Sequence, residues 1–425
     1  MKAWLRREAW IENKLCVLLF GFGCLLRLLY LGSVPGGLNQ DEASTGYDAW
    51  ALLHAGIDRN GFSWPVQFIS WGSGQNALYA WLSLPFIAIG GLSVLSVRFA
   101  MALAGVAALV LFWRLGQRAG GKFAGFSALL VLALNPWHIM ASRWALESNI
   151  LPFVVLCAVA LLAESTSESC ARPRTLLVVS AVILGMSVYA YGPAYLFTPV
   201  FLVASLLLLR VKARLEWRMV VVATVTTAVV ALPMLVFVLN NRFGTRSLQL
   251  GPISWPHYTG PARFDSIFLP FSPRGRAKLG ENVVTCFRLL GASSDDGLSW
   301  NSIPGFGPLL PMSLPFMVWG LMGMWKKPRR TVDLLMFVWF VVAMLVGMMT
   351  DANINRINLV WFPAIWLVAR GLEELKELPV LFRSASAVFF ATACCFAWVY
   401  FGAWNEKISE SFSYGFGPAL KASIA

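Results

Sequence analysis

The chain has 425 residues, of which 58% are hydrophobic and only 13% charged, with a mean hydropathy of +0.67. Soluble domains carry about 25% charged residues, so this inventory is too small to cover a water-facing surface, and disordered, coiled-coil, disulfide-stapled secreted and cytosolic classes are excluded together. The net charge of +13 does not mark a nucleic-acid binder, because the basic residues fall in short clusters between apolar runs, as topology signals do.

Eleven apolar runs are predicted as spans, near 15–31, 98–113, 123–141, 149–163, 175–191, 194–209, 219–239, 306–325, 333–349, 358–369 and 386–404. Several fall short of the ~20 residues that an untilted helix needs. The first follows Lys2, Arg6, Arg7 and Lys14; it is long for a signal-peptide core, lacks a clear small-x-small cleavage site after it, and reads as an uncleaved span. Arg114/Arg118/Lys122, Arg172/Arg174, Arg210/Lys212/Arg214/Arg218, Lys326/Lys327/Arg329/Arg330 and Arg370/Lys376/Arg383 then fall on the same side as the N-terminus. With the four N-terminal basic residues they hold more than half of the 34 Lys and Arg. The positive-inside rule places that side in the cytoplasm and, after an odd number of spans, the C-terminus outside.

The segment 77–91 is short, contains Pro85 and is followed by no basic cluster before Arg98. It is expected as a helix at the outer interface. The fold class is therefore an all-α polytopic membrane bundle of about eleven spans with juxtamembrane helices on the outer face. Three units are expected: a transmembrane module over 1–239 that includes a first outer loop, 32–97; a second large outer loop, 240–305; and C-terminal transmembrane helices with a short outer tail over 306–425. No sizeable soluble domain is expected after the last span. The seven cysteines form no CxxC, and the separation of His54, His138 and His257 gives no metal-ligand spacing.

Ionised groups near membrane depth cost about 2.5–3.5 kcal/mol or more and need a reason. Asn39-Gln40-Asp41-Glu42 opens a segment in which Ala43, Gly46, Tyr47, Trp50 and His54 recur at helical spacing. Asn39 with Glu42 makes a capping box, so the acids serve either a helix start or a site. A second constellation runs from Asn135 to Asn149, with Arg143 and Glu147 at i, i+4 beside Trp137 and Trp144. It reads as an interfacial ion pair with a tryptophan belt or as the floor of a site. His138 by itself suits a structural hydrogen bond. Arg27, near the outer end of the first span, suits snorkelling. Arg356, within Asp351-Ala-Asn353-Ile-Asn355-Arg356, either pairs with a carboxylate or holds an anion.

Two carboxylate sites on one membrane face, with cations nearby, suit displacement at a sugar carbon. A carboxylate activates an acceptor hydroxyl, and the phosphate leaving group of a polyprenyl-phosphate sugar needs cationic stabilisation from arginine or from a divalent metal ion. A single displacement inverts the anomeric centre. A lipid-linked glycan flippase or other transporter, and a glycan polymerase or ligase, are the competing readings.

At these residues the sequence resembles the GT-C glycosyltransferases of family 39, which include protein O-mannosyltransferases and the aminoarabinose transferases that modify lipid A. A bacterial branch is most similar, through Pro35-Gly-Gly-Leu-Asn-Gln-Asp-Glu-Ala43, Trp71-Gly-Ser-Gly-Gln-Asn76, Pro136-Trp-His-Ile-Met140, Ser142-Arg-Trp-Ala-Leu-Glu-Ser-Asn149, Trp300-Asn-Ser-Ile-Pro-Gly-Phe-Gly307 and Ile354-Asn-Arg-Ile-Asn358. The likeness runs from about residue 25 to 372. It implies a GT-C bundle that transfers a sugar from a polyprenyl-phosphate donor to a lipid, glycan or protein acceptor at the outer face of the cytoplasmic membrane. By resemblance Asp41 is the base, Glu147 the second acid and Arg143 the arginine before it, with Glu42 completing the acidic set. Arg143, Arg356, His138 and Arg27 are the candidate donor-phosphate residues. Many relatives carry Lys-Pro-Pro where this chain has Gln75-Asn76-Ala77, so Arg356 or a basic residue of loop 240–305 is expected to replace that lysine.

Overall fold

The structure, a computed structural model, describes residues 2–70, 74–213, 215–260, 273–291, 294–326 and 330–413. Residues 71–73 of one motif and the end of the expected outer tail, 414–425, lie outside the described residues. Each of the eleven apolar runs overlaps a helix, although the run 306–325 is helical only from Ser313. In chain order these and the connecting elements are α1 (Lys2–Leu28), α2 (Gln40–Ala55), β1 (Gln67–Phe68), β2 (Gln75–Asn76), α3 (Leu78–Gly90), α4 (Val94–Ala133), α5 (Pro136–Ala141) and α6 (Glu147–Ser165). There follow α7 (Pro173–Met186), α8 (Ala194–Lys212), α9 (Trp217–Phe243), β3 (Leu248–Leu250), β4 (Ile253–Trp255) and α10 (Pro273–Leu289). The chain then forms α11 (Ser313–Lys326), α12 (Thr331–Met348), α13 (Trp361–Glu373), α14 (Pro379–Phe401) and α15 (Ala403–Ser413). Among the described residues, six helices are long and apolar enough to cross a membrane.

The long α4 is a hairpin. Gly121 adopts φ 80°, ψ −164°, a conformation that only glycine reaches without strain. The arms then pack so closely that a Cβ on Gly116 would lie 2.6 Å from the Ala124 carbonyl oxygen. Small residues at that contact let the backbones meet. The turn gathers charge: Arg118 pairs with Glu164 at 2.8 Å, and Arg330 with Glu373 at 3.6 Å beside Gly120. Arg370 reaches Asp333 at 3.2 Å nearby. Several clusters that the sequence assigns to one side therefore share one end of the bundle, and the acidic motifs lie at the other.

Helices α11 and α13 touch through paired glycines. A Cβ on Gly371 would fall 1.9 Å from the Phe316 carbonyl oxygen, and one on Gly320 2.0 Å from that of Leu367. Gly371→Ala is therefore expected to force the helices apart at a cost of about 1–3 kcal/mol. Melting of the detergent-solubilised protein reads this, and an unchanged midpoint would mean that the contact yields freely.

The two loops expected on the outer face are docked to each other. In the first, Gln67 pairs with Asn76 and Phe68 with Gln75; in the second, Leu248 pairs with Trp255. Val66 N–H donates to the Ser254 carbonyl at 3.0 Å, and the Tyr258 hydroxyl donates to the Phe68 carbonyl at 2.9 Å. The start of the expected tail is helical. Within α15, Asn405 accepts the Gly36 N–H at 2.8 Å, Trp404 donates to the Ser299 carbonyl at 3.0 Å, and Phe412 packs on Trp144. This helix lies over the α1–α2 connection.

Helix α2 has the exposed aromatic stripe expected of an interfacial helix: Tyr47, Trp50 and His54 stack in sequence, with centroids 5.9 and 4.4 Å apart. Gly46 instead faces Val97 of α4. On the buried side Asp48 pairs with Arg59 at 3.5 Å. Burial pushes its carboxyl up to about 6, against the pull of Arg59. An unfolded Asp titrates near about 3.9, so the native state holds the extra proton between those values. Stability should decline as pH rises from about 4 to 6 and then level off. Asp48→Asn is expected to flatten that decline, and melting curves across this range check it; identical pH dependence in both proteins would exclude Asp48 as the source.

Candidate active site

The local sequence at Asn39 builds the capping box as expected. The Asn39 side chain accepts the Asp41 N–H at 2.8 Å, and Glu42 accepts the Asn39 N–H at 3.1 Å. Glu42 does more than cap. It is fully buried and accepts from Arg98 Nε and Nη2, both at 2.9 Å, and from the Ala145 N–H at 2.8 Å. Arg98 continues to the carbonyls of Pro35 at 2.6 Å and Gly37 at 2.7 Å. The pair locks α2, α4 and the turn 142–146 together, so the Glu42 carboxylate is taken up by structural partners. Nothing local in the sequence singles out Arg98 as that partner; its one signal is a lone charge at the start of an apolar run.

Asp41 stays half-buried in the first turn of α2. Gln75 holds that turn: its Nε2 donates to the Asp41 carbonyl at 3.0 Å and to Thr45 Oγ1 at 2.7 Å, and its Oε1 accepts from Ser44 at 2.9 Å. The next residue, Asn76, donates its backbone N–H to the Glu147 carboxylate and its Nδ2 to the Val188 carbonyl and the Tyr195 hydroxyl. Two successive residues thus bring the two acidic positions together. At the position where the family resemblance expects a lysine, this chain has a glutamine engaged on both its oxygen and its nitrogen.

Glu147 is buried at the first position of α6, where a helix N-terminus favours a carboxylate. The i, i+4 pairing with Arg143 is not realised, because residues 142–146 are non-helical and the helix starts at Glu147 itself. Arg143 turns the other way. It donates to the carbonyls of Leu26 at 3.0 Å, Leu29 at 2.7 Å and Val34 at 2.8 Å, and it sits 4.8 Å over the Phe401 ring.

Arg27 does not snorkel. It is fully buried and donates to the carbonyls of Gly23, Leu132 and Ala133 and to His138 Nδ1, the last at 2.6 Å from Nη2. His138 is thereby the structural hydrogen-bonder that the sequence suggested. Backbone carbonyls of α1, α4 and the α1–α2 connection receive both arginines, so neither guanidinium needs an acid.

Arg356 is different. Its side chain is 38% exposed and shares Asp351 with Lys278 of α10, at 3.1 and 2.5 Å. Burial would raise the Asp351 carboxyl, but the two cations hold it below its ordinary value. Tyr191, in the turn before α8, registers the same neighbourhood: burial raises its hydroxyl, Arg356 pulls it down and Asp41 pushes it up. Asp41 and Arg356 therefore act on one half-buried phenol. Among the described residues no three His, Cys, Asp or Glu side chains converge to hold a metal ion.

The helices thus form a bundle whose two long loops dock through short strands, with the acidic motifs at one end. Among solved structures, the chain is similar to ArnT from Cupriavidus metallidurans in the apo state, with a TM-score of 0.56 at 15% identity, covering 86% of this chain and 60% of that one. It is similar to the same protein bound to undecaprenyl phosphate, with a TM-score of 0.57 at 15% identity, covering 92% and 70%. It also resembles the archaeal oligosaccharyltransferase AglB from Archaeoglobus fulgidus in complex with an inhibitory peptide and a dolichol-phosphate, with a TM-score of 0.54 at 13% identity, covering 95% and 56%. The chain thus has the GT-C fold and spans about 60% of apo ArnT and little more than half of AglB. No family model and no curated relative matches the sequence.

Proposed function

We propose that this chain is an inverting membrane glycosyltransferase that moves a sugar from a polyprenyl-phosphate donor to an acceptor hydroxyl at the outer face of the cytoplasmic membrane. The observation that carries the reading is the joining of Asp41 and Glu147 through Gln75 and Asn76, at the bundle end opposite the basic hairpin turn. Undecaprenyl phosphate in the ArnT structure and dolichol-phosphate in the AglB structure support a lipid-phosphate carrier. The basic clusters support a cytoplasmic N-terminus and an outward site.

In this reading the acceptor oxygen attacks the anomeric carbon as the bond to the phosphate oxygen breaks. The acceptor proton passes to the Asp41 carboxylate, and polyprenyl phosphate leaves with the bonding electrons. Glu147, fixed by the Asn76 N–H, orients the acceptor side. Glu42, Arg98, Arg143, Arg27 and His138 hold the frame. Arg356, beside Lys278 on Asp351, meets the phosphate in place of the lysine that the family resemblance expects.

Transfer from a polyprenyl-phosphate sugar by purified protein in lipid tests the reading. Arg356→Ala is expected to raise the donor KM roughly tenfold or more, since hydrogen bonds to charged groups contribute about 1.5–3 kcal/mol, with a smaller change in kcat. An unaltered donor KM would remove Arg356 from the phosphate site.

A further inference from the structure

A cavity of about 120 Å³ lies beside the Gly121 turn, at the end of the bundle away from the acids. Its wall joins three helices: Leu15 and Cys16 of α1, Trp113 and Gln117 of the first α4 arm, and Phe382 of α14. Phe123 and Phe126 of the returning α4 arm complete it, with ring centroids 4.5 and 6.1 Å from that of Phe382. The volume is close to the ~150 Å³ of an apolar cavity that takes up benzene, so it admits a chain segment of about six carbons but no headgroup. Leu15 is 48% exposed at the rim, on a surface that a membrane-spanning bundle turns to acyl chains.

The polar groups of this cavity are ordered along the hairpin. Lys122 stands exposed at the turn, Gln117 lies about one helical turn in, and Trp113 a further ~6 Å along the axis. No Asp or Glu among the described residues lines the cavity. The acids beside the turn are taken, Glu164 by Arg118 at 2.8 Å and Glu373 by Arg330 at 3.6 Å. Among the described residues none pairs with Lys122, which is left as surplus positive charge. Trp113 Nε1 is shut off from solvent and has no hydrogen-bond partner among the described residues. Buried polar groups are nearly always paired, and hydrocarbon brings no water to such a group. The cavity therefore asks for an anion at the turn, an acceptor oxygen deeper in, and apolar carbon against the phenylalanines.

We propose that this cavity anchors one anionic glycerophospholipid, with its phosphate at Lys122, an ester carbonyl at Trp113 Nε1 and part of an acyl chain among Phe123, Phe126 and Phe382. The headgroup stays outside, where Lys122 is exposed, and only the chain enters. Basic pockets between spanning helices collect anionic headgroups in this way. A zwitterionic lipid would bring its own ammonium beside Lys122, and like charges repel. A free phosphate would leave the apolar wall unused. The bound chain ties α1 and α14 to the α4 hairpin, three elements far apart in the sequence. The site depends on the membrane-spanning bundle and not on sugar transfer, so neither outcome of a transfer assay bears on it.

The test offers the full chain in detergent an equimolar mixture of phosphatidylglycerol and phosphatidylcholine with identical chains, and counts retained lipids by native mass spectrometry. The wild type should retain one phosphatidylglycerol with a preference of about fivefold or more, the scale of one lysine at an anionic lipid. Lys122→Gln, a change at an exposed turn position that leaves the fold intact, should bring the two lipids close to parity. Trp113→Phe keeps a ring and removes the N–H, and it should weaken retention of both lipids by about two- to tenfold. Arg174→Gln, on α7, which does not line the cavity, should change nothing. Equal retention of the two lipids by the wild type would overturn the proposal, as would retention unaltered in both Lys122→Gln and Trp113→Phe. An equal loss of preference in Arg174→Gln would overturn it in favour of diffuse attraction to the basic end. Displacement of the retained lipid by stoichiometric polyprenyl phosphate would overturn it in favour of a second site for the carrier.

Discussion

Asp41→Asn is expected to slow sugar transfer by about 10²-fold or more at saturating donor, the usual scale for loss of a general base, while donor KM and melting temperature change little. The amide keeps the shape of the carboxylate but cannot take the acceptor proton. The fold makes this a clean experiment, because the helix start is capped by Asn39 and Glu42 and not by Asp41. Gln75 grips the main-chain carbonyl at position 41, which the substitution leaves in place. An Asp41→Asn variant that transfers at the wild-type rate would falsify the assignment of Asp41 as base.

Arg98→Met should have the largest effect on folding. It leaves the Glu42 carboxylate buried without its counter-ion, and breaking a buried pair from one side costs about 3–5 kcal/mol. Total stabilities are about 5–15 kcal/mol, so the variant is expected to be recovered poorly and to melt early. Adding Glu42→Leu removes the orphaned charge and should restore much of the loss, since apolar replacement of a whole buried pair is often neutral. A double-mutant cycle read by unfolding in mild detergent gives the coupling. Additive effects of the two substitutions would show that the pair contributes nothing beyond its separate side chains.

Much of this architecture is legible in the sequence, because its causes are local. Apolar runs must be helical where water is absent, and the capping box needs only Asn39 and Glu42, three residues apart. The arginines are harder to read. Arg27, Arg98 and Arg143 find acceptors roughly sixty to over a hundred residues away in the chain, so charge and spacing alone leave phosphate binding and snorkelling as the available readings. The i, i+4 match of Arg143 with Glu147 assumes a continuous helix; the chain instead turns at 142–146 and begins α6 at Glu147. Gln75 and Asn76 stand out in the sequence only as the place of a missing lysine, while their structural work depends on partners in α2, α6 and the approach to α8.

The grip of Gln75 on one acidic turn and of Asn76 on the other acid has a mechanical consequence. Neighbouring α-carbons across a trans peptide are about 3.8 Å apart and cannot separate. A single rigid peptide unit therefore works as a spacer between the two grips, fixed by covalent geometry and indifferent to small shifts among the helices. When neighbouring helices shift slightly, the two acidic positions are carried along as a pair.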